Sequence, residues 1–293
     1  MLQDTRLHQR SEPIPEGWKP LIDFVLPDGQ HTTTYKAAEG RGARPADQIY
    51  DSIRANCARG LPELSARVSP HARRMVLCCY GPSLRHTWRL AAAEHGDLWT
   101  VSGAHHFMLS KGVRPAFHTD VDPRDHKACF VEQPTCDTTH FYAPSRVSPL
   151  YLDHLLERNA TLYHIKCKQE ADVVRACLPD AYLVPSAITA GLCAVQLGLV
   201  LGYREFSIYG MDGSASPRDG EKYLGPHPNE KEPFNSLVEI EGRKFATNML
   251  MLLALDDYFA IASDWPMGTF TFHGDGMMQW VEKVARRAHL EVA

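Results

Sequence analysis

The segment from Ser186 to Gly213 constrains the fold more than any other part of the chain. Small and hydroxyl-bearing residues open it, which suits the start of a helix that a ligand approaches closely. An apolar helix follows, because Leu192, Val195 and Leu199 are spaced for one broad buried face. Gly202 then ends the helix, as expected of a residue that tolerates a positive φ.

A short strand and a glycine turn complete this segment. Residues Glu205 to Tyr209 include β-branched and aromatic side chains and are typical of a strand. The strand leads into Gly210, Asp212 and Gly213. In open α/β sheets, ligands bind outside the carboxyl ends of the strands. Helix, strand, glycine turn and acidic residue together predict half of a nucleotide site.

The composition indicates a globular protein with a full hydrophobic core. The chain has 293 residues, of which 44% are hydrophobic and 23% are charged, and both values are ordinary. A net charge of −4 argues against a broadly basic surface for nucleic acid. No uninterrupted apolar stretch approaches the ~20 residues that span a bilayer. The polar N-terminal sequence predicts no secretory signal.

Cysteine usage predicts a reduced, cytoplasmic protein. The eight cysteines include no CxxC pair. Cys78, Cys79, Cys129 and Cys193 fall in segments predicted as strands or a buried helix, so we expect core cysteines rather than disulfides. The sequence leaves the oligomeric state open, with a homo-oligomer as one alternative.

Alternating strands and helices predict an α/β, Rossmann-like fold with a mostly parallel sheet and helices on both faces. Residues 1–70 are irregular and are predicted to form an arm with one helix, and residues 71–293 form the main domain. A long apolar helix is expected from Lys244 to Ala262. Besides the strand above, strands are predicted at Met75–Tyr80, Asp97–Val101, Ala116–Thr119, Ala128–Val131, Thr139–Tyr142, Thr161–Ile165 and Gly268–Phe272.

The turn Gly81-Pro82-Ser83 follows the first strand of the main domain. Glycine lets the backbone approach a ligand, and a helix start offers N–H groups to a phosphate. The turn lacks both the dinucleotide fingerprint and the P-loop lysine. An ordinary strand-to-helix turn is the alternative.

Asp120 and Asp122 follow a predicted strand. Two carboxylates at this spacing can share a divalent cation that holds a diphosphate. A solvated acidic turn ending at Pro123 is the alternative. The position of the pair, on the same predicted sheet edge as Gly81 and Gly210, favours a metal site for magnesium or manganese.

Asp212 and His227 are the candidate catalytic residues. Asp212 follows a strand, where it can cap the next segment or bind a ribose hydroxyl or a metal. His227 lies in a long polar loop, Ser214 to Glu232, and histidine is a suitable general base near neutral pH. The pair His105-His106 and the other histidines show no zinc spacing with cysteine.

This order of motifs resembles the DUF115 (MptE-like) superfamily. The resemblance rests on strand-GPSL-helix, a second strand ending in small residues, a third ending in an acid, and CAVQLGLVLGYREFSIYGMD at residues 193–212. The superfamily includes archaeal 6-hydroxymethyl-7,8-dihydropterin diphosphokinases and Maf flagellin glycosyltransferases. Bacterial sialyltransferases of the CstII type are similar and share the loop histidine. The resemblance covers about residues 74–276 and implies a nucleotide-binding transferase domain.

The resemblance implies roles for individual residues. It assigns catalysis to His227 and Asp212, and a metal to the acidic turn of Asp120 and Asp122. Nucleotide binding is assigned to Gly81, Pro82, Ser83, Ser102, Gly103, Ser186, Thr189, Gly191, Gly210 and Tyr223.

Three functions follow from the resemblance. The first is a glycosyltransferase with a nucleotide-activated sugar, of which a CMP-linked nonulosonic acid is one candidate, and an unknown hydroxyl acceptor. The second is a magnesium-dependent diphosphokinase that transfers pyrophosphate from ATP to a hydroxymethyl group. The third is a catalytically silent nucleotide-binding module, because fold alone does not establish chemistry.

Overall fold

The structure is a computed structural model that describes residues 19–20, 44–132, 137–225 and 234–292. Its strands are β1 (Lys19–Pro20), β2 (Arg74–Cys78), β3 (Asp97–Val101), β4 (Phe117–Thr119), β5 (His140–Pro144), β6 (Ala160–Lys166), β7 (Leu183–Pro185), β8 (Glu205–Tyr209), β9 (Ser236–Ile240), β10 (Arg243–Thr247) and β11 (Thr269–His273). Its helices are α1 (Ala46–Cys57), α2 (Leu84–Ala93), α3 (Ala104–Ser110), α4 (Pro149–Asp153), α5 (Lys168–Cys177), α6 (Ala190–Val200), α7 (Met249–Asp264) and α8 (Met277–Val292), with a 3-10 helix at Asp125–Phe130.

Eight strands form one parallel sheet in the order β11-β8-β2-β3-β4-β5-β6-β7. The chain adds β2 to β7 outward in one direction and then returns to place β8 on the other side of β2. Cys78 of β2 lies opposite Thr100 of β3 and Tyr209 of β8, so these three strands end at one level. The predicted α/β, Rossmann-like fold is confirmed.

Strand β2 shows why the sheet is covered on both faces. Successive side chains of a strand point to opposite faces. Met75 and Leu77 pack in a core cluster with residues of α6 and α7, whereas Val76 and Cys78 pack with residues of α2 and α3. All four are at most 1% exposed, and such a strand reads as a continuous apolar run.

Strands β9 and β10 form an antiparallel pair that the sequence reasoning missed. Val238 lies opposite Phe245, and both side chains are buried. Strand β1 pairs with β9 in parallel and completes a three-stranded sheet. Only short alternation marks these strands, and polar residues dominate the sequence before them.

The helix predicted from Lys244 to Ala262 is wrong at its start. Lys244 lies in β10, and α7 begins only at Met249. Asn248 separates the two elements, because its side chain accepts a hydrogen bond from the backbone N–H of Met251 at 3.0 Å and caps the helix.

The strand predicted at Ala128–Val131 is also wrong. The 3-10 helix Asp125–Phe130 occupies this position and buries Lys127 and Phe130, three residues apart, on one side. Cys129 is exposed as a result, contrary to the expectation that it belongs to the core, whereas Cys78, Cys79 and Cys193 are buried. Within the described residues, no helix is long and apolar enough to cross a bilayer.

The one helix predicted within residues 1–70 is α1, Ala46–Cys57. Ile49 and Ile53 pack with Val174 of α5 in a small apolar cluster. The division of the chain at about residue 70 into an arm and a main domain stays a prediction.

Candidate functional site

A cavity of about 420 Å³ opens at the carboxyl ends of the central strands. It lies where the strand order reverses, between β2 and β8, which is the usual ligand site of an open α/β sheet. Its walls come from the segments after β2, β3, β4, β7 and β8 and from the start of α7.

The turns after β2 and β8 are in direct contact. The backbone N–H of Gly81 donates to the carbonyl of Gly210 at 2.8 Å. A Cβ on Gly81 would lie 2.4 Å from that carbonyl oxygen, and a Cβ on Gly210 would lie 2.3 Å from the carbonyl oxygen of Cys79. Gly210 also has a φ of +66°, so glycine is required at both positions.

Asp212, which lies in the turn after β8, is hydrogen-bonded to the turn after β2. Its carboxylate accepts hydrogen bonds from the backbone N–H of Ser83 at 2.9 Å and from the side-chain amide of Gln279 at 3.0 Å. Burial raises the pKa of Asp212 to about 6, although the hydrogen bonds from Ser83 oppose this shift and the charge of Asp275 adds to it. Asp212 lines the cavity and holds its floor together, and a catalytic role for it stays a prediction.

The amides at the start of α2 are engaged inside the protein. Gly81 N–H bonds to Gly210, Ser83 N–H bonds to Asp212, and Leu84 N–H bonds to the carbonyl of Gly81 at 3.3 Å. A phosphate bound at the predicted site Gly81-Pro82-Ser83 would therefore have to displace these hydrogen bonds. Gly81 and Pro82 line the cavity, whereas Ser83 lies beneath it against Gly274.

The ends of β3 and β4 are joined by a short hydrogen bond. Ser102 has a φ of +50°, an uncommon conformation for a residue with a side chain. Its hydroxyl donates to Oδ2 of Asp120 at 2.7 Å. Oδ1 of Asp120 accepts from the backbone N–H groups of Val121 and Asp122 at 2.7 and 3.1 Å. Asp120 is fully buried, and both its oxygens already have donors.

Two basic residues accompany the acidic pair. Nε of Arg124 donates to the two carboxylate oxygens of Asp122 at 2.9 and 3.0 Å. Nζ of Lys127 lies 3.5 Å from Asp120 and 3.7 Å from Asp122. Burial would raise the pKa of Asp122, but the Arg124 hydrogen bonds and the Lys127 charge hold it below its usual value.

This donor set fits a divalent cation poorly. A metal needs carboxylate lone pairs, and here protein donors occupy those of Asp120 and Arg124 occupies those of Asp122. In the parts of the chain that the structure describes, no group of three or more His, Cys, Asp or Glu residues is placed to hold a metal ion. Magnesium or manganese at Asp120 and Asp122 stays a prediction, and we assign it no step.

The start of α6 forms the opposite wall. Thr189 caps the helix, because its hydroxyl accepts from the backbone N–H of Leu192 at 3.3 Å. A Cβ on Gly191 would lie 2.7 Å from Met211 and 2.9 Å from the Cys79 sulfur, so glycine permits close packing here. Thr189 and Gly191 line the cavity, whereas Ser186 is exposed and lies outside its lining.

The polar loop after β8 reaches back over the cavity. Leu224 N–H donates to the carbonyl of Tyr80 at 3.0 Å, and Lys222 and Tyr223 line the cavity. His227, the predicted general base, lies outside the described residues.

The structure brings most of the predicted site residues to one cavity. Those that line it are Gly81, Pro82, Ser102, Asp120, Asp122, Thr189, Gly191, Gly210, Asp212 and Tyr223. Ser83, Gly103 and Ser186 are not in the lining. Gly103 instead packs under the ring of Tyr80, where a Cβ would lie 2.6 Å from a ring carbon.

The sequence reasoning missed the basic residues of the cavity, Arg124, Lys127, Arg146 and Lys222. Two of them follow the acidic pair directly, in the run Asp120-Val121-Asp122-Pro123-Arg124-Asp125-His126-Lys127. Arg124 and Lys127 stand two and five positions after Asp122, and this spacing was the available signal for basic residues in the site. Arg146 pairs with Glu170 at 3.3 Å, a contact between segments that no local motif marks.

No family model matches this sequence, and no curated protein matches it. Among solved structures, the chain is similar to the MAf glycosyltransferase from Magnetospirillum magneticum AMB-1, with a TM-score of 0.57 and 15% sequence identity. The match covers 78% of this chain and 37% of the length of that protein. The structural neighbour is thus a glycosyltransferase, and at this identity the likeness establishes the fold alone.

Proposed function

We propose that this protein is a glycosyltransferase that moves a sugar from a nucleotide-activated donor to a hydroxyl acceptor, and that it belongs to the DUF115 (MptE-like) superfamily. One observation carries the proposal. A cavity of about 420 Å³ lies at the switch point of the sheet, is floored by the Gly81 and Gly210 turns, and carries several basic side chains. The glycosyltransferase fold of the structural neighbour supports it.

Charge and shape suit such a donor. The lining contains four basic residues and three acidic ones. Arg124 pairs with Asp122 and Arg146 pairs with Glu170, so Lys127 and Lys222 are the basic residues best suited to meet a phosphate. The mouth of the cavity is apolar, since Ile188 and Leu250 line it and are 40% and 37% exposed. A base or sugar can pack against this side while its phosphate faces the basic side chains. A CMP-linked nonulosonic acid brings a carboxylate in addition to a phosphate, and the basic residues suit two anionic groups.

The reaction needs charge stabilisation and a base. The bond between the anomeric carbon and the phosphate oxygen breaks, and its electron pair stays on the phosphate. The acceptor oxygen bonds to the anomeric carbon and loses its proton to a base, for which His227 is the proposed residue. Preorganised positive charge beside the leaving phosphate lowers the barrier.

A thermal-shift panel tests the donor class. CMP, CDP, UDP, GDP, ADP and ATP are added singly, each with and without magnesium. A ligand at ~100 times its Kd adds about 2.7 kcal/mol to the free energy of unfolding. We expect one sugar-carrier nucleotide to stabilise the protein selectively, and the matching nucleotide sugar to release that nucleotide when acceptor hydroxyls are supplied.

Other outcomes of the panel would identify the alternatives. Stabilisation by ATP only with magnesium, with AMP as product, would favour a diphosphokinase. Tight nucleotide binding without turnover of any donor would favour a silent binding module. No stabilisation by any nucleotide would contradict the proposal.

A further inference from the structure

Lys127 is a buried cation whose polar contacts with the described residues are all long. The residue is 3% exposed, and its Nζ lies 3.4 Å from Ser102 Oγ, 3.5 Å from Asp120 Oδ2 and 3.7 Å from Asp122 Oδ2. Charge-assisted N–H···O bonds are normally about 2.7–2.9 Å, and an ammonium has three donors. These contacts hold Lys127 in place and leave it able to form a shorter bond.

Ser102, next to Lys127, has an unusual backbone conformation. Its φ is +50°, in a region that residues with a side chain seldom adopt. In this conformation its hydroxyl bonds to Asp120, the residue that also faces Lys127. Lys127 lines the same cavity as the Gly81 and Gly210 turns. Unusual backbone conformations are often found at ligand sites, and this one lies beside the cavity.

We propose that Lys127 binds an oxyanion of the donor, namely a phosphate oxygen of the nucleotide, and stabilises the charge that this phosphate gains as the glycosyl bond breaks. The inference rests on the proposed function. Lys127 then performs at this cavity what a divalent cation does in metal-dependent transferases, and Asp120 and Asp122 serve to position the ammonium instead of binding a metal.

The experiment compares nucleotides with their nucleosides in a buffer containing EDTA. Calorimetric titrations use CMP against cytidine, UDP against uridine and ADP against adenosine, with inorganic pyrophosphate as a further probe. We expect wild-type protein to bind one nucleotide at least tenfold more tightly than its nucleoside. Lys127→Met should lower the ratio of nucleotide affinity to nucleoside affinity at least tenfold. It should change the nucleoside affinity by no more than about twofold. Lys127→Arg should restore part of the ratio. Lys111→Met, at an exposed lysine, is the matched control and should change nothing.

A second variant guards against misfolding. Lys127→Met leaves the buried Asp120 without its cation, whereas Asp122 keeps Arg124, and a buried carboxylate that has lost its partner can be strongly destabilising. The double variant Lys127→Met, Asp120→Asn removes the cation together with the carboxylate nearest to it, and Asp120→Asn alone is its control. An unchanged ratio in the folded double variant would overturn the inference, and so would a wild-type ratio that appears only with magnesium.

The two proposals fail in distinguishable ways. If a nucleotide binds but the ratio of nucleotide affinity to nucleoside affinity does not depend on Lys127, the role of Lys127 is wrong while the proposed function stands. If no nucleotide binds, the proposed function fails, and pyrophosphate tests Lys127 alone. Pyrophosphate binding that Lys127→Met abolishes would support an oxyanion site, whereas binding that is unchanged, or absent in the wild type, would overturn it.

Discussion

The backbone N–H of Ser83 donates a hydrogen bond to the buried carboxylate of Asp212 at 2.9 Å, and this contact joins the turn after β2 to the turn after β8. The two residues are 129 positions apart in the chain. Gln279 of α8 donates to the other carboxylate oxygen at 3.0 Å. Asp212 thus holds three segments around the floor of the cavity.

Replacement of Asp212 by alanine should destabilise the protein strongly. The change leaves the backbone N–H of Ser83 without its acceptor. It also removes the shortest hydrogen bond of the Gln279 amide, which keeps longer ones to the carbonyls of Met211 and His273. One unsatisfied buried group costs about 1–3 kcal/mol, and we expect a loss of this size in the free energy of unfolding, measured by urea denaturation. Asp212→Asn keeps one acceptor oxygen and should lose less. Equal losses for the two variants would contradict this role.

Asp212 should also contribute a pH dependence that its asparagine variant lacks. Its pKa is raised to about 6 in the folded protein, from the ordinary value of 3.8. The folded state therefore holds the proton more tightly, and the stabilisation is complete below pH 3.8 and is lost as the pH rises through 6. Relative to Asp212→Asn, the wild type should gain stability between pH 7 and about 4, by roughly 1.4 kcal/mol for each unit of pKa shift. A difference that does not vary with pH would contradict the prediction.

Two buried histidines should lower the stability of the folded protein as the pH falls, which is the opposite of the effect of Asp212. Thr100 Oγ1 lies 3.0 Å from Nδ1 of His105 and 3.1 Å from Nδ1 of His118, and both rings are fully buried. Burial lowers the pKa of His105 to about 2 and that of His118 to about 3. Burial is the main cause in both cases, and the charges of His118, His106 and Arg158 contribute to the lowered pKa of His105. The charges of His106 and Lys127 contribute to that of His118.

These depressed values predict acid sensitivity. The unfolded chain binds protons that the buried rings do not, so stability should fall as the pH drops below about 6.5, by up to ~1.4 kcal/mol per pH unit for each histidine. The double variant His105→Gln, His118→Gln should flatten this slope in urea titrations between pH 6 and 4. His95→Gln, at an exposed histidine, should leave it unchanged. A double variant with the wild-type slope would contradict the assignment.

The fold and the cavity floor were predictable from local patterns. β2 reads as an apolar run, and Gly81 and Gly210 mark turns where backbones meet, so both the parallel sheet and its ligand edge follow from the sequence. β10 was not predictable, because Lys244 and its neighbours resemble the helix that follows and only the Asn248 cap separates the two.

The contact between Lys127 and Asp120 was not predictable for a related reason. Lys127 faces Asp120 only because residues 125–130 form a 3-10 helix, and the apolar run after Lys127 resembles a strand. Without that contact, the sequence around Asp120 and Asp122 predicts a metal site. The spacing places Lys127 five positions after Asp122, but whether its ammonium reaches Asp120 depends on the 3-10 helix, where the sequence predicted a strand.

His227 should be required for sugar transfer but not for donor binding. A positioned general base contributes about 10²–10⁴-fold to rate, so His227→Gln should lower kcat by that factor and leave the nucleotide affinity unchanged. Steady-state release of nucleotide and calorimetric binding measure the two quantities. His95→Gln is the control, since that histidine is exposed, precedes β3 and lies outside the cavity lining. Transfer at the full rate in His227→Gln would exclude this role.

Gly210 and Gly220 provide a matched pair that separates backbone strain from the close approach of the two turns. Their φ values are +66° and +74°, so alanine is strained at both, at a cost of about 1–2 kcal/mol. At Gly220 an added Cβ meets nothing within 4 Å, whereas at Gly210 it lies 2.3 Å from the carbonyl oxygen of Cys79. That oxygen belongs to the backbone beside β2 and cannot move without separating the turns.

We therefore expect Gly210→Ala to lose at least ~2 kcal/mol more stability than Gly220→Ala, by analogy with other overpacked sites. Any Gly210→Ala protein that still folds should have a distorted cavity floor and bind nucleotide at least tenfold more weakly. Gly220→Ala should bind normally, because Gly220 lies outside the cavity lining. Urea denaturation and calorimetry decide the question. Equal stabilities for the two variants would mean that strain alone explains the glycine at position 210, and that the contact between the turns is not what shapes the site.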